Sequence, residues 1–197
     1  MHSLTDLCTE RGGAVGRARR EPIRAYIVRP KNTPNHRLPV VYCHHQHDHQ
    51  YFLGKREVIG RGGDPRQAYA CVLARKGYLT FAPDAKCFEE RMIPGLKEEK
   101  GEVYEFARLL CRGKSLQWQF LADIKNGISC ISTIPDADSS RIGFMGHSLG
   151  GQEALFATAA DPRIKVAVSS CGFFVLQGYL SAQDSSQPWS LRALLQQ

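Results

Sequence analysis

The run Gly146-His147-Ser148-Leu149-Gly150 constrains this chain more than any other feature. It lies directly after an apolar, strand-like run, 141–145 (RIGFM), and directly before a helical pattern over 150–160. A G-x-S-x-G sequence in a strand–turn–helix setting forms a sharp elbow, and small residues beside the serine let the chain reverse without a side-chain clash. The Ser148 hydroxyl is thereby predicted to stand at the carboxyl end of a sheet, above the positive end of the next helix. The N–H of Leu149 points at the position of a developing oxyanion. A serine that merely caps a helix is the plainer alternative; the strand before it and the helix after it favour a nucleophile.

The remaining chain supplies a sheet to carry such an elbow. Strands are predicted at 23–29 (IRAYIVR), 39–44 (PVVYCH), 78–83 (YLTFAP), 141–145 and 164–170 (IKVAVSS). Helices are predicted over 64–76, with Asp64-Pro65 as cap and first turn, over 118–134, and over 150–160. Residues 84–117 are charged and glycine-punctuated and read as a loop or helical excursion. Strands alternating with helices indicate the α/β class, a mostly parallel sheet with helices on its faces. Three regions follow: a basic N-terminal arm at 1–22, a core at 23–173, and a Ser/Gln-rich tail at 174–197.

Composition narrows the class further. At 197 residues, 43% hydrophobic and 23% charged, the chain reads as one soluble globular domain, not a disordered, fibrous or disulfide-knotted protein. No apolar stretch reaches the ~18 residues of a membrane span, and no secretory signal is visible. The net charge of +7 is concentrated in residues 1–60, which hold ten Lys and Arg against five Asp and Glu. That arm precedes a nearly neutral body with no nucleic-acid-binding motif, so no nucleic-acid or membrane partner is expected. Seven scattered cysteines with no Cys-x-x-Cys pair argue for reduced thiols and a cytoplasmic setting.

A second feature is the run His44-His45-Gln46-His47-Asp48-His49, directly after the strand VVYC. Three readings are open. It is a solvated polar loop, a divalent-metal site built from close imidazoles, or the segment whose backbone supplies the second oxyanion N–H to the elbow. In the last reading Gln46 or His47 donates that N–H, Gln46 standing where glycine is usual.

The segments VVYCHHQH, LGKREVIGRGGDPRQAYACVLARKGYLTFAPDAKCFEER and RIGFMGHSLGGQEALFATAADPRIKVAVSSCG resemble α/β-hydrolases of the dienelactone hydrolase and acetyl xylan esterase type, over about 23–173. The resemblance implies the α/β-hydrolase fold and hydrolysis of small-molecule carboxylic esters through an acyl-enzyme on Ser148, with Leu149, Gln46 and His47 at the oxyanion, no metal and no cofactor. Dienelactone hydrolases proper use cysteine, so Ser148 tilts the reading toward the esterase branch. Asp84 and Glu90-Arg91 match common family positions and read as structural hydrogen-bonding groups at strand ends. A prolyl-oligopeptidase-like peptidase also shows G-x-S-x-G-G, and a binding module with a dead elbow is the non-enzymatic alternative.

A nucleophilic serine needs a base. In this fold the chain order is nucleophile, acid, histidine, yet none of the seven histidines follows Ser148. Asp184, the one carboxylate of the tail, has no strand before it and is not nominated. The expectation is a chain that lacks the last strands, with impaired turnover. The alternatives are a base drawn from His45, His47 or His49, or a non-catalytic remnant.

Overall fold

The computed structural model describes residues 3–6, 23–30 and 36–173. The tail at 174–197, and the arm at 1–22 apart from residues 3–6, lie outside the described residues.

LPVVYCH has no polar–apolar alternation, which suits a strand covered on both faces. This run, Leu38–His44, is the centre of the sheet, here β3. The others are β1 (Ser3–Asp6), β2 (Arg24–Val28), β4 (Leu79–Pro83), β5 (Ala137–His147) and β6 (Ile164–Ser170). Their spatial order is β1-β2-β4-β3-β5-β6. The pairs β4–β3, β3–β5 and β5–β6 are parallel, whereas β1–β2 and β2–β4 are antiparallel. The sheet is therefore mixed but mostly parallel, as expected.

Helices cover both faces. α1 (Lys55–Val58) and α2 (Tyr69–Arg75) pack Val58, Tyr69, Ala70 and Ala74 on Tyr26, Val28, Cys43 and Ala82. α4 (Leu116–Ile131) and α5 (Leu149–Ala160) cover the opposite face, where Ile124, Ile128, Ala154 and Ala157 meet Tyr42, Phe81 and Phe144. α3 (Glu99–Leu110) lies in the charged excursion. From β3 the chain runs to α1 and α2 on one face, and from the adjacent β5 it runs to α5 on the other. Connections that diverge in this way open a crevice at the carboxyl ends of the two strands, and both sequence features noted above lie there.

Several elements differ from expectation. The N-terminal arm holds a strand, β1, paired with Arg24–Ile27 of β2. The helix expected at 64–76 is split into a single 3₁₀ turn, Pro65–Gln67, and α2, because Ala68 between them leaves helical geometry at φ −74, ψ 37. α4 starts at Leu116, where the Ser115 hydroxyl accepts from the Trp118 N–H at 3.0 Å. β5 is longer than predicted because Ala137 and Asp138 pair with Leu38 and Pro39 ahead of an irregularity in the ladder.

Candidate active site

β5 delivers Gly146 and His147 to the carboxyl edge of the sheet, and α5 begins at Leu149. Between them Ser148 adopts φ 51, ψ −112, a conformation costly for a residue with a side chain. The turn is over-determined. The Ser148 N–H donates to the Ser170 carbonyl at the end of β6 at 2.8 Å, and the Ser148 carbonyl accepts from Gln152 N–H at 2.9 Å. A Cβ on Gly146 would collide with the Gly150 backbone, and a Cβ on Gly150 would collide with the carbonyl oxygens of His44 and His45. Glycine is thus required twice, once to close the elbow and once to let the segment after β3 lie against it. Leu149 N–H opens the helix and has no helical carbonyl behind it to bond. Ser148 itself is half-buried, and among the described residues no side chain is hydrogen-bonded to its hydroxyl.

The histidine-rich segment is a buried, internally bonded scaffold. His44 and His45 are almost completely enclosed. Burial lowers His44 to about 4 and His45 to about 3, so both rings are neutral at pH 7. His44 Nδ1 donates to the His45 carbonyl at 3.0 Å. His45 has both nitrogens engaged: Nδ1 donates to the Gln46 carbonyl at 2.7 Å, and Nε2 accepts from Ala85 N–H at 3.0 Å. His47 Nδ1 accepts from His49 N–H at 3.1 Å, which leaves Nε2–H to donate to Glu102 Oε2 at 2.9 Å. The Gln46 side chain donates to Glu57 at 2.9 Å, and Tyr69 OH holds the His44 carbonyl. His147 Nδ1 lies 2.9 Å from Ser170 Oγ. The rings of His45 and His47 are thus committed to holding the loop. Among the described residues no three His, Cys, Asp or Glu side chains converge as metal ligands do.

Behind this segment stands a buried ion cluster. Lys55, fully enclosed, pairs with Asp84 and lies 3.1 Å from both Glu89 and Glu90, and its N–H bonds Asp84 Oδ1 at 2.7 Å. Burial pulls the ammonium down, but Asp84 and Glu89 more than offset this, so its pKa ends above the ordinary lysine value. Arg91 donates to the Asp84 carbonyl and pairs with Asp123. Asp84, Glu90 and Arg91 thus tie the end of β4 to α1 and α4, in keeping with the structural role read from the sequence. Lys55, Tyr51, Tyr69 and Glu102 are site-building residues that the sequence reading missed. Lys55 stands in an unremarkable charged stretch, and Glu102 lies in the excursion with no local pattern to mark it.

Beside the elbow a cleft of about 560 Å³ is lined by Gly146 and His147 on one side and by Gln46, Glu57, Asp64 and Tyr69 on the other. Met145 is its one apolar side chain apart from the Tyr69 ring.

Strand order, helices on both faces, and a serine in strained geometry between β5 and α5 together define an α/β-hydrolase fold. More particularly, residues 105–195 match the prolyl oligopeptidase family. The chain is 33% identical over 153 residues to YtaP of Bacillus subtilis (strain 168), named as a hydrolase, a match covering 77% of this chain and 48% of that one. The fold is shared with a Klebsiella pneumoniae protein described as a dienelactone hydrolase (TM-score 0.60, 23% identity, 89% of this chain and 61% of the other). It is shared also with a Bacteroides fragilis protein described as an acetyl xylan esterase (TM-score 0.63, 19% identity, 76% and 41%). The chain spans about half the length of the curated relative it matches. No helix among the described residues is long and apolar enough to cross a membrane.

Proposed function

We propose that this chain carries the nucleophile of a serine hydrolase acting on small carboxylic esters. The observation that carries the reading is the positive-φ elbow at Ser148, held by bonds on both sides of the residue. Ser148 Oγ bonds the ester carbonyl carbon, the bond to the alcohol oxygen breaks, the serine proton passes to solvent or to the departing alkoxide, and an acyl-enzyme remains for water to hydrolyse. The N–H groups of Leu149 and of Gln46 or His47 receive the oxyanion. No cofactor enters this scheme. The cleft beside the elbow offers amides, carboxylates, the Arg66 guanidinium and a phenol to hold the polar groups of a small ester. Scattered cysteines with no Cys-x-x-Cys pair fit a reducing compartment such as the cytoplasm.

Proton transfer sets what such a chain can turn over. A serine hydroxyl with no base to take its proton loses about 10⁴-fold of rate or more relative to a complete triad. Phenolates leave without a proton, whereas an amide nitrogen needs one. A prolyl-oligopeptidase-like peptidase is the second reading, favoured by the family match over 105–195. An assay on a p-nitrophenyl ester and an aminoacyl p-nitroanilide separates the two. Slow, Ser148-dependent release from the ester alone is expected; release from the anilide at a comparable rate would overturn the esterase assignment.

A further inference from the structure

Resting on Ser148 as nucleophile, we propose that Glu102 is a positioning residue for the oxyanion segment, acting from α3 through His47 and Tyr51. Its carboxylate is buried at 2% exposure and takes two hydrogen bonds on one oxygen, from His47 Nε2–H at 2.9 Å and from Tyr51 OH at 2.6 Å. Both donors belong to the stretch between β3 and α1, on either side of the reversal at Asp48 and His49, which have φ 40 and 52. The reversal is closed by the Gln50 N–H to His47 carbonyl bond at 3.0 Å and by the His49 N–H to His47 Nδ1 bond. Phe88 stacks on Tyr51 with centroids 5.0 Å apart and meets the His47 ring edge-on at 5.1 Å, so neither ring can swing away.

The His47 ring is therefore held at three points: a main-chain donor on one nitrogen, Glu102 on the other, and aromatic faces around it. The backbone of His44 and His45, three and two residues before this ring, passes over Gly150 of the elbow. A shift of the ring moves the 46–47 peptide relative to Ser148. Oxyanion donors act by being fixed before charge develops. To the segment's own bonds Glu102 adds an anchor on α3, which spans the reversal by holding His47 and Tyr51 on one oxygen, and α3 thereby has a function in a stretch that otherwise reads as a surface excursion.

The test compares Glu102→Ala, Glu102→Gln and the same-helix control Glu105→Gln. It measures the rate at which a fluorophosphonate phosphonylates Ser148, resolved into a saturation constant and a limiting rate. In this reaction the serine oxygen bonds phosphorus, fluoride leaves and the proton goes to solvent. Glu102→Ala is expected to lower the limiting rate roughly 10-fold or more with the saturation constant unchanged, and Glu102→Gln, which keeps one acceptor, to recover part of it. A second arm reads the segment directly by NMR: the His47 ring carries its proton on Nε2 in the wild type, and Glu102→Ala shifts the Gln46 and His47 amide signals. Unlabelled wild type would refute the nucleophile reading, and the NMR arm alone would then decide the positioning role. An unchanged limiting rate in folded, labelled Glu102→Ala, or unmoved Gln46 and His47 amides, would overturn the proposal.

Discussion

Glu153 provides the sharpest energetic test of the fold around the elbow. It lies on the first turns of α5, has no solvent exposure, and accepts from Gln117 Nε2 on α4 at 2.8 Å, while its other oxygen has no partner. Burial, against the opposing pull of the Gln117 bond, pushes its pKa from 4.5 up to about 8. Folding therefore takes up a proton between those two values, and stability falls as pH rises through that window. At 1.36 kcal/mol per pH unit, the buried carboxyl costs about 1 kcal/mol at pH 5, about 3 at pH 7 and about 4 at pH 8. Glu153→Gln keeps an acceptor for Gln117 and carries no charge at any pH. The variant should match the wild type within about 1 kcal/mol at pH 5 and exceed it by about 4 kcal/mol at pH 8, roughly 10 °C in Tm. Urea unfolding of both proteins at four pH values from 5 to 8 measures this. Parallel stability curves would show that Glu153 is ionised in the native state and that the α4–α5 seam is wetter than described.

Other substitutions probe the remaining contacts. Gly150→Ala should cost about 3 kcal/mol or more, because the added carbon meets main-chain oxygens that no rotamer change can move; a thermal melt unchanged from wild type would separate the histidine segment from the elbow. Lys55→Met strands Asp84 and Glu89 in the interior and should cost about 3–5 kcal/mol, whereas adding Asp84→Asn should restore part of it, as a double-mutant cycle by urea unfolding will show. Val166 and Val168 on β6 are 62% and 50% exposed. Val168→Lys should therefore leave stability within about 0.5 kcal/mol by urea unfolding; a loss of about 2 kcal/mol or more would show that this face is covered in the folded protein.

Much of this architecture is legible in the sequence because it is local. The elbow is a contiguous motif whose neighbours, RIGFM and the α5 pattern, declare themselves by periodicity, and five of the six strands among the described residues are short apolar runs between turn residues. β1 is not legible: SLTD is four residues long and gains its place only by pairing with β2. The break at Ala68 is equally hidden, since the apolar spacing runs straight through it. At the site, the sequence locates Ser148 and the segment 44–49 but says little about what the histidines do. Histidine composition suggests a metal or a base, whereas burial and the main-chain bonds at His45 and His47 turn those rings into struts. The partners that make them so, Ala85 and Glu102, come from elsewhere in the chain. Only the tertiary fold brings Glu102, 55 residues away, to His47.

The account centres on Ser148 as a nucleophile held at the elbow, and active-site labelling tests that most directly. Incubation with a fluorophosphonate followed by peptide mass mapping should give one adduct per chain, on the peptide carrying Ser148, and none in Ser148→Ala. Failure to label the folded wild type, or an adduct on any other residue, would contradict it.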